Sequence, residues 1–436
     1  MTERREEVVG ILESAPVPGS VGGREKLKIL VAMDVYLPLM DGVVNCMRNL
    51  LLAYPDDIEA TAVGPKAKNY VDKDPYPVIR YKGFHIPFTK FVDFGFPSRD
   101  KEFQKRIMEM DIDLIHVHTP FGICKVLTKI AKAKGIPIVA TFHTKYRMAF
   151  KRILLLKCFY EPYIRRLGRR YGEMDEMFAG TQATEAQLRS FGYSGTCKIV
   201  PFGTSLEVVE DWSKYADAAD RRFGLKPDDT VFCFIGRIVE SKRIDFSLKA
   251  LKKIKKRGYD FKFIVGGTGN YEPFLRTAVK RLGLSDNVIL TGFLSDEELK
   301  MVYSRANLLL FPSILDNFAL VKVEAATYHT PGLFLRDSNT AYGTTDMRNA
   351  ILADNTVIDF ADKIEWAITH PDELREIGEN AHRELYFSWK DSAALLDKEY
   401  RRVIAEYREN RETYEPPTQT AKHVKTDKFR KRSASK

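Results

Sequence analysis

Residues 27–33, Leu27-Lys28-Ile29-Leu30-Val31-Ala32-Met33, are almost continuously apolar and partly β-branched. Such a run predicts a strand buried on both faces. A loop follows over 34–42, and residues 43–51 then repeat apolar positions at helical spacing. The same strand–loop–helix pattern recurs down the chain. Residues 113–118 predict a strand and 121–134 a helix ended by Gly135. Residues 137–142 predict the next strand, with His143 just past its end, and 177–180 and 198–200 close this series. Regularity breaks around 201–222. A second series follows: strand 231–235, helix 244–256, strand 261–265 with Gly266-Gly267-Thr268-Gly269 behind it, then strands 288–290 and 308–311. Residues 372–410 read as helical.

Strands alternating with helices imply parallel sheets joined by right-handed crossovers. The chain therefore predicts two α/β halves of about 180 residues each, an ordinary domain size. Residues 1–25 read as a disordered leader, and 411–436 as a basic disordered tail rich in Pro, Thr and Lys. Ligands of open parallel sheets bind beyond the carboxyl ends of the strands. The chemically interesting groups sit there: Asp41-Gly42, His118, His143, Gly236-Arg237, Gly266 to Gly269, and Asp316.

Composition narrows the class. Of 436 residues 44 % are hydrophobic and 11 % aromatic, enough for ordinary globular cores. The five scattered cysteines have neither disulfide-framework nor zinc spacing, which points to a reducing, cytoplasmic setting. No secretory signal pattern and no apolar run of about 18 residues is visible. The net charge of +10 is concentrated. Residues 145–170 carry nine basic side chains against Glu161, and 421–436 carry seven against Asp427, so the remaining chain is slightly acidic. This distribution suggests contact with an anionic surface. In the first zone Lys145, Arg147, Lys151 and Arg152 alternate with apolar residues at helical spacing. Such a basic amphipathic stretch suits an anionic bilayer surface, or equally a helix packed on its own domain. No nucleic-acid-binding signature is present.

Gly236-Arg237-Ile238-Val239-Glu240-Ser241-Lys242-Arg243 follows a strand and opens a helix, placing two cations where phosphate oxygens are favoured. A solvated basic turn would look the same. Gly266-Gly267-Thr268-Gly269 lacks the full dinucleotide-binding spacing and fits a tight connection equally well. His116 and His118 share one face of a strand, yet no nearby acid or cysteine completes a metal set. Lastly, the segment "FPSILDNFALVKVEAATYHTP" places Asp316 at a helix mouth and Glu324 inside the helix, about two turns apart.

Together these motifs resemble one family. "MDVYLPLMDGVV", "DLIHVHTPFG", "PIVATFHTKY", "IVPFGTSLE", "FIGRIVESKRIDFSLKAL", "FIVGGTGNYEPF" and "VILTGFLSDEELKMVYSRANLLLFPS" occur in the order seen in family-4 glycosyltransferases, over roughly residues 27 to 405. The chain looks most like the bacterial branch that holds diacylglycerol glucosyltransferases and phosphatidylinositol mannosyltransferases. The resemblance implies a GT-B fold. Two Rossmann-like domains, 26–205 for the acceptor and 206–380 for the nucleotide-sugar, would flank a cleft, and a helix at 381–410 would cross back to the first domain. It implies hexose transfer from a UDP- or GDP-hexose to a membrane lipid such as diacylglycerol, on the inner face of the cell membrane. Retention of configuration, no metal and no cofactor are implied as well; a saccharide acceptor or a non-catalytic sugar-nucleotide binder are the alternatives.

By the same resemblance His143 and Asp316 touch the transferred sugar and the reacting centre. Gly42, Arg237, Lys242, Gly266, Asn317, Phe318, Ala319, Leu320 and Glu324 would hold the donor, with Glu324 on the ribose. The sequence departs from the family pattern at Ala319, His329, Met347 and Ala350, where glycines are common.

Overall fold

The computed structural model describes residues 25–39, 42–85, 93–143, 146–147, 150, 157–209, 211–314, 316 and 319–409. The predicted leader and tail lie outside this set, apart from Glu25.

The first half holds β1 (Leu27–Ala32), β2 (Ile58–Pro65), β3 (Val78–Tyr81), β4 (Gly83–His85), β5 (Asp93–Gly95), β6 (Leu114–Val117), β7 (Ile138–Phe142), β8 (Glu176–Ala179) and β9 (Cys197–Ile199). Seven of these form one parallel sheet in the order β3-β2-β1-β6-β7-β8-β9, while β4 and β5 pair as a small antiparallel ribbon. The second half holds β10 (Val231–Ile235), β11 (Lys262–Gly266), β12 (Val288–Gly292), β13 (Leu308–Phe311), β14 (Gly332–Leu335) and β15 (Ile351–Ala353). They form a second parallel sheet, ordered β12-β11-β10-β13-β14-β15. The strand order reverses beside β1 in the first sheet and beside β10 in the second, so each sheet has a switch point where ligands bind. The fold is the expected pair of Rossmann-like domains.

The apolar runs behave as their composition demands. Every residue of β6, β7, β10 and β13 is buried, because helices cover both sheet faces. Burying one such Leu or Phe contributes roughly 1.5–3 kcal/mol. A charge at Leu309, which pairs with both Cys233 and Gly332, would undo the centre of the second sheet.

The helical end differs from its prediction. Instead of one helix from 372, there are two, Pro371–Leu385 and Trp389–Glu409. The break at 386–388 is where the chain crosses back. Thr204 N donates to Phe387 O at 2.9 Å, and Ser392 Oγ donates to Pro201 O at 2.8 Å. A Cβ at Gly203 would lie 2.0 Å from the Ser388 carbonyl carbon, so glycine permits this crossing. The last helix then joins the core of the first half. Its Trp389, Leu396, Tyr400, Val403 and Ile404 share one apolar cluster with Ile29, Val31, Val44 and Met47.

Candidate active site

The groups expected to hold the donor stand at the ends of β10, β11 and β13, which are neighbours in the sheet. Past β10, Arg237 is exposed and the turn Glu240–Lys242 brings Lys242 inward. Past β13, Asp316 meets it: Lys242 Nζ donates to Asp316 Oδ1 at 2.6 Å, and the ammonium sits 5.0 Å over the Phe311 ring. Both side chains are largely buried, which makes the pair charge-assisted and weakly screened. The sequence treated these two residues as separate contacts. They neutralise each other.

The helix Leu320–Thr327 starts next, with Ala319 as its N-cap and no side chain capping it. Its first turn has no acid, so its amides remain suited to an anion. One turn on, half-buried Glu324 accepts a 2.8 Å hydrogen bond from Tyr303 Oη. Burial raises the Glu324 pKa, and the Tyr303 hydrogen bond works against that rise. Gly266 ends β11, where a Cβ would meet Leu294 at 2.4 Å. The next residue, Gly267, has φ +132°, and its Cβ would strike Gly236 O at 1.9 Å. The Gly-rich turn therefore lets two loop backbones touch, as a tight connection requires. Asn317 and Phe318 lie outside the described residues.

The first half presents its groups past β1, β6 and β7. Asp34 lies just past β1 and accepts from Thr119 Oγ1 at 2.7 Å and Ile123 N at 2.9 Å, fastening the start of the helix Gly122–Lys134. Gly42 opens the helix Gly42–Ala53, and a Cβ there would meet nothing within 4 Å among the described residues. His116, His118 and His143 form a buried ladder. His116 bonds Tyr400 Oη at 2.6 Å and Thr141 Oγ1 at 2.7 Å. His118 Nδ1 lies 2.8 Å from His143 Nε2. His143 stacks on Phe202, and Phe202 on Trp389. Burial lowers the pKa of His116 and His143 to about 3, and that of His118 well below its ordinary value. All three rings are neutral at pH 7.

Two contacts join the halves at this place. Leu320, at the start of the donor helix, packs against the first-half cluster alongside Phe202. A cavity of about 330 Å³ is lined by Ala183 of the first half and by Arg336, Ser338, Asn339, Tyr342 and Gly343 of the second. Sequence reasoning missed Lys322 altogether. It is 9 % exposed, and its Nζ donates to Thr340 O at 3.0 Å and Tyr342 O at 2.7 Å in the loop that lines this cavity. Burial lowers its pKa to about 8.

Two of the four departures from the family pattern sit at backbone positions that favour glycine. His329 and Met347 both hold φ +57°, the left-handed region that glycine enters most readily. His329 also stacks on His382 at 4.1 Å. Ala350 is fully buried and its carbonyl accepts from Met347 N at 2.9 Å. In the basic zone, Arg147 pairs with Glu161 at 2.9 Å and bonds Ser190 Oγ at 2.9 Å. Lys145, Lys151 and Arg152 lie outside the described residues. Arg165, Arg166 and Arg169 are exposed along the helix Lys157–Tyr171. No described helix is long and apolar enough to cross a membrane.

Two Rossmann-like halves, with cations and acids gathered at their strand ends, have the GT-B architecture. Comparison with known proteins agrees. Residues 40–208 match the family described as Glycosyltransferase Family 4, and residues 216–384 the family described as Glycosyl transferases group 1. The alpha-monoglucosyldiacylglycerol synthase of Acholeplasma laidlawii is 24 % identical over 87 % of this chain and 94 % of its own. The D-inositol 3-phosphate glycosyltransferase of Segniliparus rotundus is 28 % identical, over 62 % of each chain. Among solved structures, Anabaena HepE in complex with UDP-glucose superposes with a TM-score of 0.67 at 16 % identity, over 86 % of this chain and all of that one. The chain belongs to the family-4 glycosyltransferases.

Proposed function

We propose that the protein transfers a hexose from a UDP- or GDP-hexose to a membrane lipid such as diacylglycerol, retaining the anomeric configuration and using no metal ion. The observation that carries the donor half of this reading is the Lys242–Asp316 pair beside Arg237 at adjoining strand ends. A departing nucleoside diphosphate gathers negative charge, and pre-placed cations with helix-start amides stabilise it. A diphosphate that draws Lys242 away from Asp316 leaves that carboxylate for hydroxyls of the sugar. Glu324, deeper on the helix, suits a ribose. His143 takes the sugar from the other half, and no side chain is assigned as a covalent nucleophile. The UDP-glucose complex of the structural relative supports a nucleotide-sugar donor.

The lipid acceptor rests on the monoglucosyldiacylglycerol synthase relative and on the exposed Arg165, Arg166 and Arg169. Each such cation near an anionic bilayer contributes about 1 kcal/mol. The same two points support a place on the inner membrane face. The inositol-phosphate relative favours a second reading, a small soluble polyol phosphate as acceptor.

One assay separates them. Release of nucleoside diphosphate is followed with UDP- and GDP-hexoses, in EDTA, with diacylglycerol in anionic vesicles or with soluble inositol phosphate. Turnover only with vesicles supports the lipid reading; turnover only with the soluble acceptor replaces it. No turnover and no donor binding would sink both. Glu324→Ala should weaken donor binding at least about tenfold, since a hydrogen bond to a charged group contributes roughly 1.5–3 kcal/mol.

A further inference from the structure

The hydrogen bond between His118 and His143 decides which nitrogen of His143 can serve a substrate. Only one of the two facing nitrogens, His118 Nδ1 or His143 Nε2, can carry the hydrogen between them. The two assignments differ at the far side of His118. That ring is fully buried, and its Nε2 has no hydrogen-bond partner. If His143 were the donor, the hydrogen of His118 would have to sit on Nε2 as an orphaned buried N–H. Such donors are rare in folded proteins, because the hydrogen bond they made to water is lost and not replaced. With the hydrogen on Nδ1, His118 uses it in the 2.8 Å bond and leaves no N–H unpaired.

The surroundings hold this choice in place. His116 packs against His118 with ring centroids 4.2 Å apart, and its own nitrogens are occupied by Tyr400 and Thr141. His143 is confined on its other side by the Phe202 ring at 5.2 Å. Neither histidine can turn without breaking the stack. Burial keeps both rings uncharged, so the bond is one between neutral imidazoles.

We propose that His118 is a positioning residue that sets the tautomer of His143: it donates from Nδ1 to His143 Nε2, so that His143 carries its hydrogen on Nδ1. This rests on the placement of His143 in the hexosyl-transfer site proposed above. His143 then meets a sugar oxygen as a neutral hydrogen-bond donor, with Nε2 already engaged, and the acceptor hydroxyl must lose its proton elsewhere. A donor held in one orientation stabilises charge as it develops without reorganising.

The test reads the tautomer directly. Nitrogen-edited NMR of histidine-labelled protein should show His143 protonated on Nδ1, and in His118→Leu this should give way to a mixture or to the Nε2 form. In the same variant kcat should fall about 10- to 100-fold with donor KM nearly unchanged, the penalty of a loosened reacting group. His118→Asn, which retains an N–H near the same place, should recover most of that loss. His143 protonated on Nε2 in the unaltered protein overturns the proposal. So does a His118→Leu variant whose kcat is unchanged or whose loss is not recovered by Asn. The NMR result is independent of turnover, so failure of the hexosyl-transfer reading would be seen separately in the vesicle assay.

Discussion

Glu324 is pulled in two directions. Burial raises its pKa, and the 2.8 Å hydrogen bond from Tyr303 Oη opposes that by favouring the charged carboxylate. Removing the hydroxyl leaves burial unopposed. Tyr303→Phe should therefore move Glu324 protonation to higher pH, because the charged carboxylate loses its hydrogen-bond donor. Donor affinity carried by the carboxylate would then fade at a higher pH as conditions are acidified. Calorimetric nucleotide-sugar titrations from pH 5 to 8 would show it; identical profiles for both proteins would rule the coupling out. At this scale the sequence singled out Asp316 and Glu324 as acids in an apolar stretch, and Arg237 and Lys242 as cations after a strand, as candidates whose roles came from the family resemblance. It did not reveal that Lys242 and Asp316 neutralise each other, since their partnership spans 74 positions of chain. Nor did it reveal the His118–His143 hydrogen bond, which exists only once β6 and β7 lie side by side.

The helix Leu320–Thr327 shows how an element can serve two neighbours. Glu324 reaches Tyr303, while Lys322, two positions earlier and so on another face, reaches the loop after β14. The Lys322 ammonium ties down Thr340 O and Tyr342 O, and that loop is turned by the short helix Asn339–Ala341 capped by Ser338. Lys322→Met keeps the length and removes the donors. Two carbonyls would lose charge-assisted partners, each worth roughly 1.5–3 kcal/mol. Amide exchange at Ala341 and Thr344, which bond within the loop to Ser338 and Ala341, should accelerate at least about tenfold. Unchanged protection in exchange mass spectrometry would mean the loop holds its shape without the lysine. Lys322 was illegible in the sequence because a lysine in a helix ordinarily points to solvent. Several elements were illegible for a different reason. β2 mixes small, polar and β-branched residues, and β3, β14 and β15 are only three or four residues long. Their pairing comes from neighbours in the sheet rather than from local pattern.

Across the whole molecule the two sheets could be foreseen because parallel strands covered on both faces must be apolar throughout. The return of the last helix came only from the family resemblance, and its physical basis is now visible. Tyr400 closes a buried polar chain with Tyr54 at 2.8 Å and His116 at 2.6 Å, and Arg402 pairs with Glu176 at 2.6 Å. The first half is thus completed by a segment distant in sequence, and its core contains the neutral histidines. Their stability linkage can be stated with its sign. His116 and His143 have pKa values lowered to about 3, against about 6.5 when unfolded, so the unfolded chain binds more protons between those limits. Stability is complete above pH 6.5 and declines as pH falls toward 3, by about 1.4 kcal/mol per pH unit for each histidine. Asp34, whose pKa is raised by burial, acts oppositely as pH falls toward its ordinary carboxylate value and offsets part of this. The second sheet contains no histidine in any strand, so the loss should fall on the first half together with the C-terminal helix. Urea unfolding at pH 7.5 and pH 5 should split into two transitions at the lower pH, the first half yielding earlier. Exchange mass spectrometry at the same urea concentrations would assign that transition to β1, β6, β7 and the helix Trp389–Glu409. If those segments keep their pH 7.5 midpoint at pH 5, the histidines are not buried neutral in the folded protein, and the ladder beside His143 is wrong with them.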